Sequence, residues 1–258
     1  MPGPAFDAAA FQRALTTRAI GRWMVYREEC ESTMPLARRE AEEGAPHGTI
    51  VLAEAQTAGR GRRGRSFHSP AGENLYFTLV LRLSAGQHRA LPVALPLAVA
   101  EAVRAEGIDA RIKWPNDIWV GERKLCGMLI DAEAGPGGLL AFPGIGINVN
   151  GDPTLIPELA GVATSVHREL GHAIAREPLL ARLCEVLETN LGQPFAELVP
   201  RYRALSLVLG REVVITPAAG EPFAAHAEDI TADGALLVRR EDGRHETVAA
   251  ADVSVRPR

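Results

Sequence analysis

Apolar residues follow strand-like patterns over much of the chain. Alternation of apolar with polar residues, or a run of four to eight β-branched and aliphatic residues, is typical of strands. Such patterns cover residues 22–29, 49–55, 75–83, 111–114, 117–121, 124–133 and 139–150. After residue 210 the runs shorten and the turns tighten, which predicts several short strands of a small all-β unit.

Helical patterns separate these strands. The Ser32-Thr33 pair offers a helix N-cap, and Gly44 offers a stop. Predicted helices cover 6–20, the stretch from Ser32 to Gly44, 92–107, a short segment ending near Gly171, 176–192, and a stretch after Pro194. The helix at 92–107 is apolar almost all round, so we expect it to be buried against the sheet.

The order of the elements predicts an α+β fold. Consecutive strands joined by turns favour a mixed, mostly antiparallel sheet packed with helices. We expect a main domain at 1–208 and a small C-terminal β-barrel at 209–258.

A loop rich in glycine and arginine interrupts the early strands. Residues 59–65, the Gly/Arg loop, carry four arginines between three glycines. Arg side chains bind carboxylates and phosphates bidentately, and glycine lets the backbone wrap a ligand. A solvated surface loop and a loop that closes over an anion both fit this composition. A dinucleotide site does not, because a turn and a strand follow the glycines where that fingerprint requires a helix.

Charge and composition narrow the class of protein. The net charge is −4, and the sequence has no basic patch outside the Gly/Arg loop. Both observations argue against a general nucleic-acid binder. No apolar stretch reaches the roughly 20 residues of a membrane span, and the N-terminus lacks a secretory signal pattern. Three widely spaced cysteines indicate reduced thiols, and no His/Cys cluster has zinc spacing. We therefore expect a cytoplasmic protein without a membrane partner or structural metal.

Lysine is used at two positions only. Of 28 basic residues, all but Lys113 and Lys124 are arginine. A lysine ammonium is a compact charge on a flexible stem, which the wide guanidinium does not replace. The alternative is that they are two ordinary surface cations. Because both lysines lie in one block, 111–131, we interpret them as residues that take part in the chemistry of a functional site.

Four motifs in this order resemble the biotin–protein ligase family. They are the Gly/Arg loop with its flanks (QTAGRGRRGR and SPAGENLY), KWPND at 113–117, RKLCG at 123–127 and GIGINVN at 144–150. The resemblance implies the biotin ligase catalytic fold, which is similar to class II synthetases. It also implies a two-step reaction, in which biotin and Mg-ATP give biotinyl-AMP and the biotinyl group then passes to a lysine of a biotin carboxyl carrier protein.

The resemblance implies a role for particular residues. Implied catalytic residues are Lys124, Arg60, Arg62 and Asp117. Implied biotin-binding residues are Ser32, Thr33, Met34, Gln56, Thr57, Gly61, Arg62, Arg63, Lys124 and Gly127. Implied ATP-binding residues are Arg60, Arg62, Phe67, Lys113, Asn116, Lys124, Gly146 and Asn148. Met34 and Phe67 stand where the family often has Asn and Trp, so we expect one altered biotin contact and weaker stacking on adenine.

Further expectations concern assembly and alternatives. The resemblance implies a homodimer, and only a short segment precedes the first strand, so we expect a ligase without a DNA-binding domain. We also expect the Gly/Arg loop to be poorly ordered without ligand and to close on it. A lipoate–protein ligase and a nucleic-acid-binding module are the alternative functions.

Overall fold

A mixed sheet of seven strands forms the centre of the protein. The computed structural model describes residues 3–61, 67–135, 138–217, 220–249 and 253–257. The strands are β1 (Met24–Cys30), β2 (Thr49–Gln56), β3 (Leu75–Leu83), β4 (Arg111–Lys113), β5 (Asp117–Val120), β6 (Arg123–Gly135) and β7 (Gly138–Ile147). Their spatial order is β1-β2-β3-β7-β6-β5-β4, with β1 and β2 parallel and the other neighbours antiparallel. The predicted mixed, mostly antiparallel sheet is confirmed.

Helices cover both faces of this sheet. They are α1 (Ala8–Ala14), α2 (Thr33–Glu42), α3 (Ala85–Arg104), α4 (Val166–Leu170), α5 (Arg176–Gly192) and α6 (Phe195–Leu205). Alternate residues of β2 show the division: Ile50 and Leu52 belong to the core shared with α3 and α5, whereas Val51 packs with α2. Burial on both faces explains why β2 reads as a continuous apolar run.

The predicted start of the third helix was wrong. We placed it at Pro92, but α3 begins at Ala85, because Ser84 and Gln87 form a capping box that satisfies the first backbone N–H groups. Pro92 and Pro96 therefore lie inside the helix. The helix ends at Arg104, just before Gly107.

The C-terminal part forms a separate five-stranded antiparallel sheet. Its strands are β8 (Arg211–Pro217), β9 (Phe223–Ile230), β10 (Leu236–Arg240), β11 (His245–Val248) and β12 (Val253–Pro257), in the order β11-β10-β9-β8-β12. The Trp114 Nε1–H donates a 2.9 Å hydrogen bond to the Gly234 carbonyl, which ties this sheet to the turn between β4 and β5. The predicted small all-β unit is confirmed.

A buried ion pair fastens the N-terminal segment to the main domain. Arg176 Nη1 lies 2.8 Å from Glu54 Oε2, and these side chains are 4% and 7% exposed. The Phe6 N–H donates to Glu54 Oε1 at 2.6 Å, and Arg176 donates to the carbonyls of Pro4 and Asn74. Burial alone would raise the pKa of Glu54, but these donors outweigh it and hold the pKa below its usual range.

Removing this carboxylate is expected to destabilise the fold. Glu54→Ala leaves the Arg176 guanidinium buried without its counter-ion, which costs about 3–5 kcal/mol of unfolding free energy in urea titrations. Because folding lowers the pKa of Glu54, its stabilisation is present at neutral pH and is lost as the pH falls through the lowered pKa. Asp242→Ala, which breaks an exposed pair with Arg244, is the control and should leave the midpoint unchanged. An unchanged urea midpoint in Glu54→Ala would contradict a structural role for the pair.

Candidate functional site

One cavity of about 1040 Å³ collects most of the predicted site residues. It lies over β5, β6 and β7 and is bordered by the start of α2, the end of β2 and the segment 158–163. The predicted residues in its lining are Ser32, Thr33, Met34, Gln56, Arg60, Gly61, Phe67, Lys113, Asn116, Asp117, Lys124, Gly127, Gly146 and Asn148. Motifs that are far apart in sequence therefore meet in one place.

Three predicted residues are not in this lining. Thr57 is exposed, and its backbone N–H donates to the Cys30 carbonyl at 3.0 Å. Arg62 and Arg63 lie outside the described residues, and the expected closure of the Gly/Arg loop falls there as well. A smaller cavity of about 440 Å³, bordered by His47 and Glu188, contains none of the predicted residues.

Lys124 and Asp117 form an ion pair in the cavity wall. Lys124 Nζ lies 2.7 Å from Asp117 Oδ1. Asp117 on β5 is the cross-strand neighbour of Gly127 on β6, and a Cβ at position 127 would lie 2.8 Å from Lys124 Nζ. The glycine therefore leaves room for the lysine side chain to fold back over the strand. Both side chains keep part of their surface exposed, so the pair faces the space where a ligand would bind.

Phe67 covers the neighbouring glycines. Gly127 pairs with Gly146 across β6 and β7, and a Cβ at Gly146 would lie 2.6 Å from the Phe67 ring. The ring also packs edge-on against Tyr76, with ring centroids 6.2 Å apart. The close approach that glycines within a strand permit is made here by an aromatic side chain of the chain itself.

The end of the cavity near α2 presents polar groups. The Thr33 N–H donates to Gln56 Oε1 at 3.0 Å, and Gln56 Nε2 donates to Ser69 Oγ at 3.1 Å. Ser32 occupies the N-cap position of α2, but its side chain makes no capping hydrogen bond. Met34 lies over Gly144, where a Cβ would be 2.9 Å from its sulfur. This end presents an amide and hydroxyl groups beside apolar surface, which suits a small, uncharged polar ring.

At the other end of the cavity, away from α2, two asparagine side chains hydrogen-bond to backbone carbonyls. The Asn148 Nδ2–H donates to the Thr164 carbonyl at 2.9 Å, and Asn116 donates to the Met128 carbonyl. The Lys124 N–H donates to the Val162 carbonyl at 2.9 Å, which fastens the segment 158–163 to β6 as a cavity wall. Lys113 Nζ lies 3.6 Å from the centre of the Trp119 ring. Cations and amides therefore dominate this end, as an anionic ligand requires.

The structure adds residues that sequence reasoning missed. Trp119 and Leu159 line the cavity, and Arg211 enters the lining from the first strand of the C-terminal sheet. Trp119 could have been found, because it lies two residues after Asp117 in a predicted strand and so shares its face. Arg211 could not, since no motif signals contact between the two sheets.

The buried cysteine beside the site is not a nucleophile. Cys126 lies between Lys124 and Gly127 and is almost fully buried. Burial raises the pKa of its thiol well above the usual range, so the reactive thiolate is not formed at neutral pH. Within the described residues, no three His, Cys, Asp or Glu side chains come together as a metal cluster.

Known proteins match the chain over nearly its whole length. The model of the biotin/lipoate A/B protein ligase family matches residues 27–150, and that of the biotin protein ligase C-terminal domain matches residues 208–256. A biotin–[acetyl-CoA-carboxylase] ligase of Paracoccus denitrificans is 36% identical over 79% of this chain and 88% of its own. The bifunctional ligase/repressor BirA of Bacillus subtilis is 31% identical over 93% of this chain and 76% of its own.

Solved structures agree with these matches. The biotin protein ligase of Aquifex aeolicus, determined in complex with biotin and ATP, superimposes with a TM-score of 0.76 at 28% identity. The match covers 92% of this chain and all of that one.

Proposed function

The chain belongs to the biotin protein ligase family, and from this premise we propose how its cavity performs the reaction. The protein is an ATP-dependent ligase. In the first step a biotin carboxylate oxygen attacks the α-phosphorus of ATP, and pyrophosphate leaves with the electron pair of the broken P–O bond. In the second step an acceptor lysine amine attacks the acyl carbon of biotinyl-AMP, and AMP leaves.

The first step brings like charges together. A carboxylate must approach a polyanion, and repulsion between unit charges at ~4 Å is about 4 kcal/mol at an effective dielectric of 20. Lys124 is the cation that we assign to the point where the two meet, because its ammonium lies in the cavity wall beside Asp117 and is partly exposed. To bind there, the ligand oxygens take the place of the Asp117 carboxylate on the ammonium. Arg60 and, from the part of the Gly/Arg loop outside the described residues, Arg62 and Arg63 are assigned to biotin and the phosphates.

The two ends of the cavity are assigned to the two substrates. The end near α2, at Ser32, Thr33 and Gln56, is proposed to bind the ureido ring of biotin, with Met34 and Gly61 beside it. The opposite end, with Lys113, Asn116 and Asn148, is proposed to bind the nucleotide, with Phe67 and Gly146 forming its apolar surface. We propose no contact for Thr57, because its side chain is exposed outside this lining.

Asp117 is proposed to act in the second step. An acceptor lysine is protonated at neutral pH, and it must lose its proton before its nitrogen can attack. Once the ligand holds the Lys124 ammonium, the Asp117 carboxylate is released to accept that proton. The lysine then attacks as a neutral amine.

Mg²⁺ is proposed to arrive with the nucleotide. Mg²⁺ in nucleotide sites is held by substrate phosphates together with one or two carboxylates. The phosphates of ATP are therefore proposed to carry the ion into the cavity. The ion supplies charge neutralisation of the phosphates when it is bound.

We further propose a cytoplasmic homodimer that acts on a biotin carboxyl carrier protein. The cysteines are free thiols, as is usual in the cytoplasm. None of the helices within the described residues has the length and apolar content that a membrane crossing requires.

The proposed dimer uses the edge of the main sheet. Strand β1 lies at this edge and is available to pair with a second copy. Sedimentation at micromolar concentration tests the dimer.

The observation that carries the proposed function is the meeting of four separate motifs around the Lys124–Asp117 pair in one cavity. ATP–pyrophosphate exchange tests it. We expect exchange with biotin and none with lipoate. Exchange with lipoate alone would instead identify a lipoate–protein ligase, and exchange with neither acid would contradict adenylation at this site.

A glycine substitution tests the apolar surface of the nucleotide end. In Gly146→Ala the new Cβ would lie 2.6 Å from the Phe67 ring, so the ring must move away. Loss of one aromatic contact, about 0.5–1.5 kcal/mol, should raise the KM for ATP roughly two- to tenfold and leave biotin affinity nearly unchanged. Gly161→Ala is the matched control, because nothing lies within 4 Å of its Cβ. An equal change of the KM for ATP in both variants would show that Phe67 is not part of the nucleotide site.

A further inference from the structure

We propose that Trp119 is a positioning residue that holds the Lys113 ammonium at the nucleotide end of the cavity. The inference rests on the proposed function and adds a residue to it. Lys113 Nζ lies 3.6 Å from the centre of the indole ring, within the range of a cation–π contact. Both residues line the cavity.

The strand register explains why the two side chains meet. Lys113 is the last residue of β4 and pairs with Asp117 at the start of β5, across the KWPND turn. Trp119 lies two residues beyond Asp117 on the same strand and pairs with Arg111. Lys113 and Trp119 are therefore diagonal neighbours on one face of an antiparallel pair, a separation that a long and an aromatic side chain can span.

The two lysines of the chain are held by chemically different partners. Lys124 is paired with a carboxylate at 2.7 Å, which neutralises its charge until the ligand displaces it. The indole face attracts an ammonium through its quadrupole but has no net charge. The ring consequently fixes the position of Lys113 without itself adding a negative charge to the nucleotide end.

Phenylalanine is the conservative replacement for tryptophan at this position. The Trp119 Nε1–H is buried and has no hydrogen-bond partner within the described part of the chain, so Trp119→Phe removes no hydrogen bond within that part of the chain. Phenylalanine keeps an aromatic face, although a smaller one, towards Lys113. A urea titration of Trp119→Phe separates an effect on the lysine from an effect on folding.

The test compares Trp119→Phe and Trp119→Leu in ATP–pyrophosphate exchange with saturating biotin. A cation–π contact corresponds to roughly a 2- to 30-fold effect. We expect the KM for ATP to rise about tenfold in Trp119→Leu and about threefold in Trp119→Phe, while kcat and the KM for biotin change less than twofold. Trp23→Leu is the control, because Trp23 is 65% exposed and outside the cavity lining.

The same substitutions in a Lys113→Met background decide whether the ring acts through the lysine. We expect neither to raise the KM for ATP further there, since the interaction is already absent. If Trp119→Leu does not fold, the Trp119→Phe step in the two backgrounds gives the same comparison. An unchanged KM for ATP when Trp119 is replaced in the enzyme that keeps Lys113, or an equal rise with and without Lys113, overturns the proposal. A wild-type enzyme without biotin-dependent exchange would instead overturn the proposed function itself.

Discussion

Lys124→Arg is expected to lower biotin-dependent ATP–pyrophosphate exchange at least about a hundredfold, although it keeps the positive charge. The lysine side chain folds over Gly127, where a Cβ on residue 127 would lie only 2.8 Å from Lys124 Nζ. A guanidinium is longer and wider, so it must displace either the Asp117 carboxylate or the reacting carboxylate of biotin. Misplacement of a reacting group by ~1 Å costs about a hundredfold in rate.

Controls separate geometry from charge in this experiment. Biotin binding by calorimetry should weaken less than exchange, because Ser32, Thr33 and Gln56 are unchanged. The control is Arg168→Lys, which replaces arginine by lysine in a surface ion pair with Asp152. This variant should keep the exchange rate within twofold of the wild type. A Lys124→Arg enzyme within tenfold of wild type would show that position 124 requires only a positive charge.

Asp117→Asn is expected to impair transfer far more than adenylation. The carboxamide keeps the shape of the side chain but does not accept a proton at neutral pH, so the acceptor lysine loses its base. General-base catalysis contributes about 10²–10⁴-fold, and we expect a loss in that range when preformed biotinyl-AMP is mixed with a carrier domain in a single turnover. Exchange of pyrophosphate should fall much less, since that step needs no proton transfer.

The pH dependence of the transfer rate is the most discriminating test of this prediction. Without a base, the neutral fraction of the acceptor lysine limits the rate, so transfer by Asp117→Asn should rise about tenfold per pH unit below the ordinary lysine pKa of about 10.4. Glu158→Gln is the matched control, because Glu158 also borders the cavity but is exposed. If Asp117→Asn transfers biotin as fast as the control at neutral pH, Asp117 is not the base.

Local patterns were sufficient for most of the fold. The strands of the main sheet and the short C-terminal strands follow from alternation and turn residues. The antiparallel pairing of β4 to β7 and of β8 to β11 follows from short connections. The start of α3 was placed wrongly, because the predicted helix began at Pro92 while the capping box at Ser84 lies eight residues earlier. Proline favours helix starts but does not exclude an interior position in a buried helix.

The cavity was predictable only where a motif marked it. Lys113 and Lys124 stood out because arginine serves everywhere else in this chain, and both line the cavity. Trp119 and Arg211 carried no such signal, since their contribution depends on strand register and on the contact between two sheets. Thr57 follows Gln56 in the motif but is exposed, because it lies one residue beyond the end of β2.

A crystal structure grown with biotin and ATP tests the central claim most directly. We predict electron density for biotinyl-AMP in the cavity, with Lys124 Nζ within hydrogen-bonding distance of the oxygens that join the biotinyl carbonyl to the phosphate. The ureido ring should lie at Ser32, Thr33 and Gln56, and the nucleotide should lie beside Phe67 and Asn148. Density for the adenylate with Lys124 still paired to Asp117 and out of reach of these oxygens would contradict the assignment of Lys124 as the adenylating cation.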